Sequence, residues 1–132
     1  MSSASDDIWA RALEYDLPLT RAGDLAVRRV LTFHGMVENG GLWYAIEVHS
    51  ADEEFPLDAV AEGYRTLGLD ATAETIDRAA AEHEQTAGIG DDEAWGEAEE
   101  RVNDEYRITE EDIADAVDRT LAQEPELFAP LD

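Results

Sequence analysis

The 132-residue sequence contains no cysteine and no lysine. Without cysteine there is no disulfide framework, no zinc–thiolate site and no thiol nucleophile. Without lysine there is no ammonium group to hold a phosphate. Basic residues are scarce altogether: nine arginines stand against 33 acids, for a net charge of −24. The deficit is uneven. Residues 1–66 carry 12 acids and 5 arginines, whereas residues 67–132 carry 21 acids and 4 arginines. Such a surface repels nucleic acid and anionic membranes at long range and draws in a basic protein, fastest at low salt. No apolar run approaches the length of a membrane span. The leading Met-Ser-Ser-Ala-Ser-Asp-Asp has neither the basic nor the apolar region of a signal peptide. The expectation is a soluble, cytoplasmic protein.

Reaction motifs are missing as well. There is no nucleophile elbow and no glycine-rich phosphate loop. Asp91-Asp92-Glu93 lacks the alternating oxygen ligands and central glycine of a calcium loop. Neither catalysis nor a metal or cofactor is expected.

What the chain does have is a 44% hydrophobic composition. That suffices for one core in one domain and sets the chain apart from a disordered acidic tail. Residues 1–5 read as a frayed tail and residues 6–132 as a single helical domain. Ser5, with Asp6 and Asp7 behind it, suits a helix start. Ile8, Trp9, Ala12 and Leu13 share its inner face, and Pro18 ends it. A mostly buried helix runs from about Thr20–Asp24 to Glu38, with Val27, Val30, Leu31, Phe33 and Val37 leaving little polar face. Asn39-Gly40-Gly41 tolerates positive φ and marks a helix stop and reversal. A β-hairpin turn is the alternative there, but Leu42, Ile46 and the Trp43/Tyr44 pair recur at helical spacing.

Past the loop Asp52-Glu53-Glu54-Phe55-Pro56, Leu57, Val60, Tyr64 and Leu67 form the next inner stripe, closed by Gly68. A helix from Asp70 turns Ala73, Ile76 and Ala80 inward, with His83 a further candidate for that face, and ends at Gly88–Gly90. Trp95, Ala98, Val102 and Tyr106 make the following stripe, opposite an acidic one. Thr109-Glu-Glu-Asp112 is a capping-box-like start for a last helix with Ile113, Ala116, Val117 and Leu121 inside. Pro125 stops it, and Leu127 and Phe128 pin the end to the body. The expected fold is all-α, a compact bundle of about seven short helices.

Three histidines are the obvious candidates for chemistry. His34 and Glu38 share a helix face and would suit a base with its orienting carboxylate, yet no second ligand lies at metal spacing, and a structural histidine is the simpler reading. His83, between Glu82 and Glu84, reads as a solvated surface residue. The acidic helices carry the stronger signal. From Asp91 to Asp118 there are 13 acids and 2 arginines. Carboxylates four apart on a helix lie about 6 Å apart along the axis, comparable with successive phosphates of a nucleic-acid strand. Asp92, Glu93, Glu97, Glu100, Asp104, Glu111, Asp115 and Asp118 are the candidate partner-binding residues, presented by two adjacent helices. A merely solvated, salt-adapted face accounts for the same residues.

Leu31-Thr-Phe-His-Gly-Met-Val-Glu-Asn-Gly-Gly-Leu-Trp43 and Ala61-Glu-Gly-Tyr-Arg-Thr-Leu-Gly68, followed by an alanine-rich helix, resemble the acidic DNA-mimic domain family. Asp104-Glu-Tyr106 and Pro125-Glu-Leu-Phe128 look like its later landmarks. The resemblance spans residues 25–130. Trp43-Tyr44-Ala45 departs from it, standing where a polar residue before an aromatic pair is usual. It implies an all-α fold and mimicry of DNA toward a basic DNA-binding protein such as a transcription regulator. Asn39, Gly40, Gly41 and Gly68 are its structural turn residues. The other functions weighed are an immunity or antitoxin protein against a basic nuclease, and a salt-adapted domain with no mimicry. No direct nucleic-acid or membrane contact is expected, and the oligomeric state stays open, a dimer included.

Overall fold

Helical spacing of apolar residues on nearly all sides makes Ala22–Gly40 the natural centre of the molecule. In a computed structural model describing residues 4–53 and 56–130, that segment is one 19-residue helix with Ala26, Val27, Val30, Leu31 and Phe33 buried. The described residues form seven α-helices and no strand: α1 (Ala4–Ala12), α2 (Ala22–Gly40), α3 (Leu42–Ser50), α4 (Leu57–Thr66), α5 (Asp70–Ile89), α6 (Asp92–Asn103) and α7 (Glu110–Gln123), then a 3₁₀ turn at Pro125–Leu127. Two of them, α2 and α5, are long at 19 and 20 residues, so the helices are not uniformly short.

The alternation of stripes decides the packing. Helix α2 touches α1, α3, α4 and the C-terminal turn; α5 lies on α3 and α4; α6 lies on α3 and α5; α7 lies on α1. The α4 stripe is as expected, with Val60, Tyr64 and Leu67 fully buried. Phe128 is also buried, its ring against Gly23 of α2. A Cβ at Gly23 would come within 2.8 Å of that ring, so only glycine allows the chain's end to seat there.

Several boundaries differ from expectation. Ser5 lies inside α1, which begins at Ala4, and residues 1–3 fall outside the described residues, as do Glu54 and Phe55 of the predicted loop. Helix α1 stops at Ala12, well before Pro18. The buried Arg28 guanidinium donates there to the carbonyls of Ala12 at 2.9 Å, Glu14 at 2.6 Å and Leu17 at 2.9 Å. A cation over the last carbonyls of a helix satisfies groups that the helix leaves open. Leu13 is consequently turned outward, 44% exposed. At the other reversal, Asn39 and Gly40 still belong to α2, and only Gly41 makes the turn, with φ +90°. The β-hairpin alternative is excluded.

Candidate interaction surface

The local sequence places the carboxylates. Asp91 caps α6, its carboxylate accepting from the N–H of Glu93 at 2.9 Å and Ala94 at 3.4 Å. With Ala98 and Val102 buried, Glu93, Glu97 and Glu100 must point outward, and they are exposed together with Asp92 and Asp104. Thr109 and Asp112 cap α7 reciprocally: Asp112 N–H donates to the threonine hydroxyl at 3.3 Å, and Thr109 N–H to the aspartate at 2.9 Å. Ile113, Ala116 and Val117 go inward, which leaves Glu111, Asp115 and Asp118 exposed.

Among the described residues, none of these eight carboxylates has a hydrogen-bond or salt-bridge partner. Six of the nine arginines are committed elsewhere. Arg11, Arg21, Arg28 and Arg107 donate to backbone carbonyls. Arg65 pairs with Asp77 at 2.5 Å, and hydrogen bonding to that carboxylate raises the guanidinium pKa. Arg101, on α6 itself, reaches back to Glu82 of α5 and to Glu105.

The two rows are not carried by helices packed side by side, as the sequence suggested. Helix α6 lies on α3 and α5, and α7 lies on α1, because each buries its own stripe against a different neighbour. What joins them is the loop 104–109, held by a polar chain that the sequence reading missed. Tyr64 and Tyr106 hydroxyls are 2.7 Å apart, and Tyr106 Oη is 2.8 Å from His34 Nδ1. His34 Nε2 faces Glu38 Oε1 at 2.7 Å, close enough for an ion pair but not aligned as a hydrogen bond. With the ring proton on Nε2, Nδ1 accepts from Tyr106, which in turn accepts from Tyr64. Burial raises both phenols well above their usual range, and Tyr64 is pushed further by the neighbouring Tyr106. His34 is thus a buried anchor for the loop between the acidic helices. The only hint was Tyr106 falling on the α6 stripe just past the helix end.

The other histidines stand apart. His49 is buried at the end of α3, its ring 5.4 Å from that of Phe33 and its Nδ1 3.8 Å from Asp52. His83 is not a solvated surface residue. It is half-buried against two indoles, 4.7 Å from the Trp43 ring and 4.8 Å from Trp95, because α5 passes where α3 and α6 meet. Of the predicted turn residues, Gly41 and Gly68 have positive φ, and Asn39 and Gly40 end α2. Among the described residues no three metal-ligating side chains gather, and no helix is long and apolar enough to cross a membrane.

The arrangement is that of an acidic all-helical domain whose later helices carry unneutralised carboxylates on a braced frame. Residues 19–128 match the model of the family described as DMP19-like protein, and the chain belongs to that family, one of DNA mimics. Neither a search of curated proteins nor one of solved structures gives a match.

Proposed function

We propose that the protein is a non-catalytic DNA mimic that occupies the basic groove of a DNA-binding protein, such as a transcription regulator. The carrying observation is that Asp92, Glu93, Glu97, Glu100, Asp104, Glu111, Asp115 and Asp118 are all exposed and unpaired, while most arginines are engaged with backbone or with other acids. Unpaired carboxylates keep their charge available to a partner, as backbone phosphates do. Family membership supports the same reading. Within it, Gly41, at the end of the Asn39-Gly40-Gly41 run, is the turn between α2 and α3, and the contacting residues lie some fifty positions later.

The test is recovery of a partner with a basic surface by the immobilised protein. Duplex DNA and raised salt should each displace that partner, and replacing the α6 carboxylates with amides should weaken it. Binding indifferent to both salt and DNA rejects mimicry.

Salt adaptation is the second reading, favoured by a specific observation: each of the seven helices carries at least one exposed carboxylate, including Glu47 of α3, Glu62 of α4 and Glu74 of α5. A melting temperature that keeps rising steeply with KCl beyond ordinary Debye screening supports it.

A further inference from the structure

Helices α1 and α7 leave a groove of about 520 Å³ between them, with Trp9, Ala10, Leu13 and Ala114 along its floor. Leu13 also borders a second depression of about 610 Å³ formed by the loop 13–17, where Tyr15 is 56% exposed. Leu13 and Tyr15 are two of the four large hydrophobic residues most exposed on the described surface. Leu13 links the two depressions into one strip. Every charged residue lining it is an acid: Asp6, Glu110 and Glu111 on the groove, Glu14 and Asp16 on the loop.

The local arginines are turned away from the acids of this rim, although the Arg28 guanidinium lies over the Tyr15 ring, 5.6 Å from its centre. Arg11 points to the buried Asp24 at 2.6 Å, and Arg28 is spent on three carbonyls under the loop. Among the described residues no arginine lines either depression. An apolar floor between acidic walls is complementary to one kind of surface, an apolar ridge between basic residues. A helix recognised this way offers apolar side chains at i, i+3 and i+4 with arginine or lysine on their flanks.

We infer that the α1/α7 groove docks a cationic amphipathic helix of the partner protein. The inference rests on the reading of the chain as a ligand of a basic protein, and it supplies the apolar half of that contact. A carboxylate row alone attracts any polycation. An apolar anchor beside it selects one, since buried contacts govern residence time while outlying charges govern encounter. A second copy of this chain is the wrong occupant, because at −24 it would bring acid to acid.

The experiment measures fluorescence polarisation of two labelled peptides against the whole protein: a leucine–lysine amphipathic helix, and an oligolysine of equal charge. The amphipathic peptide should bind at least about tenfold more tightly, the scale of one buried leucine, and should persist at salt that releases oligolysine. Leu13→Gln and Ala114→Gln, one from each side of the floor, should each bring it down to the oligolysine level without altering oligolysine binding or the circular dichroism spectrum. Glu97→Gln with Glu100→Gln should leave the difference between the peptides intact. Equal affinity of the two peptides, or indifference to both groove substitutions, overturns the inference. So does sedimentation showing a wild-type dimer that Leu13→Gln dissociates, since that gives the strip to a second copy. Mimicry is judged separately, by whether duplex DNA displaces the partner, so either reading can fail while the other stands.

Discussion

Asn103, the last residue of α6, accepts a hydrogen bond at 2.9 Å from the backbone N–H of Trp43 in the first turn of α3. Gly41, the residue in the N-cap position of α3, has no side chain to do this, so the cap comes from another helix. The amide of Asn103 fills the space over Gly41, where a Cβ would meet its nitrogen at 2.7 Å. Asn103→Ala should cost about 0.5–2 kcal/mol, the range of a lost N-cap, and Gly41→Ala about 1–3 kcal/mol from φ strain. Combined, the two should cost less than their sum, because removing Asn103 relieves the clash. Chemical denaturation of the four proteins checks this.

The Tyr64–Tyr106–His34 chain makes an alkaline prediction. Both phenols are raised in the folded chain by burial, with the ordinary value near 10. Above about pH 10 the unfolded chain therefore releases these protons first. Stability should be insensitive to these groups below that pH and fall above it, by up to about 1.4 kcal/mol per pH unit for each phenol. Tyr64→Phe and Tyr106→Phe should each flatten the decline. At neutral pH Tyr106→Phe should also cost about 1–3 kcal/mol, since it strips His34 Nδ1 of its donor. Denaturation midpoints from pH 7 to 11 supply the comparison.

Asp24 is buried and holds two distant parts of the chain together. Its carboxylate accepts from Arg11 of α1 at 2.6 Å and from the backbone N–H of Ala129 at 2.8 Å. Asp24→Ala leaves Arg11 without its anion and Ala129 without its acceptor, and should destabilise by about 3–5 kcal/mol. The C-terminal segment should then become the first site of limited proteolysis.

Neutralising the α6 row by Glu93→Gln, Glu97→Gln and Glu100→Gln should raise stability at low salt. Like charges one helical turn apart cost roughly 0.2–0.5 kcal/mol per pair, and none of these three is in a salt bridge whose loss would offset the gain. The advantage should shrink at high salt. Melting curves across a salt series, run beside partner binding, show whether charge kept at a cost to stability is charge used in recognition.

Much of the fold was legible because the relevant signals are local. The Val60, Tyr64 and Leu67 stripe, the Thr109–Asp112 capping box and the stop at Pro125 each rest on a few consecutive residues. The outward aim of the eight carboxylates followed from the same periodicity. What could not be read was which stripe meets which. Periodicity shows that α6 and α7 each have an inner face, but not that α6 chooses α3 and α5 while α7 chooses α1. His83 shares the inner stripe of its helix yet is flanked by two glutamates, and nothing in its neighbourhood announces indoles arriving from residues 43 and 95. Arg28 likewise gave no sign that three carbonyls, from the end of α1 and the loop after it, would converge on it.

That indole pair gives the molecule a built-in optical gauge. Trp43 and Trp95 stand 5.0 Å apart near edge-to-face, on α3 and α6, with the His83 ring of α5 completing a triangle of nearly equal sides. Any partner that tilts α6 must change the spacing of this trio, and so its exciton coupling in the near-ultraviolet and the quenching of its emission. Whether the acidic helix yields on binding or stays rigid can therefore be watched in unlabelled protein.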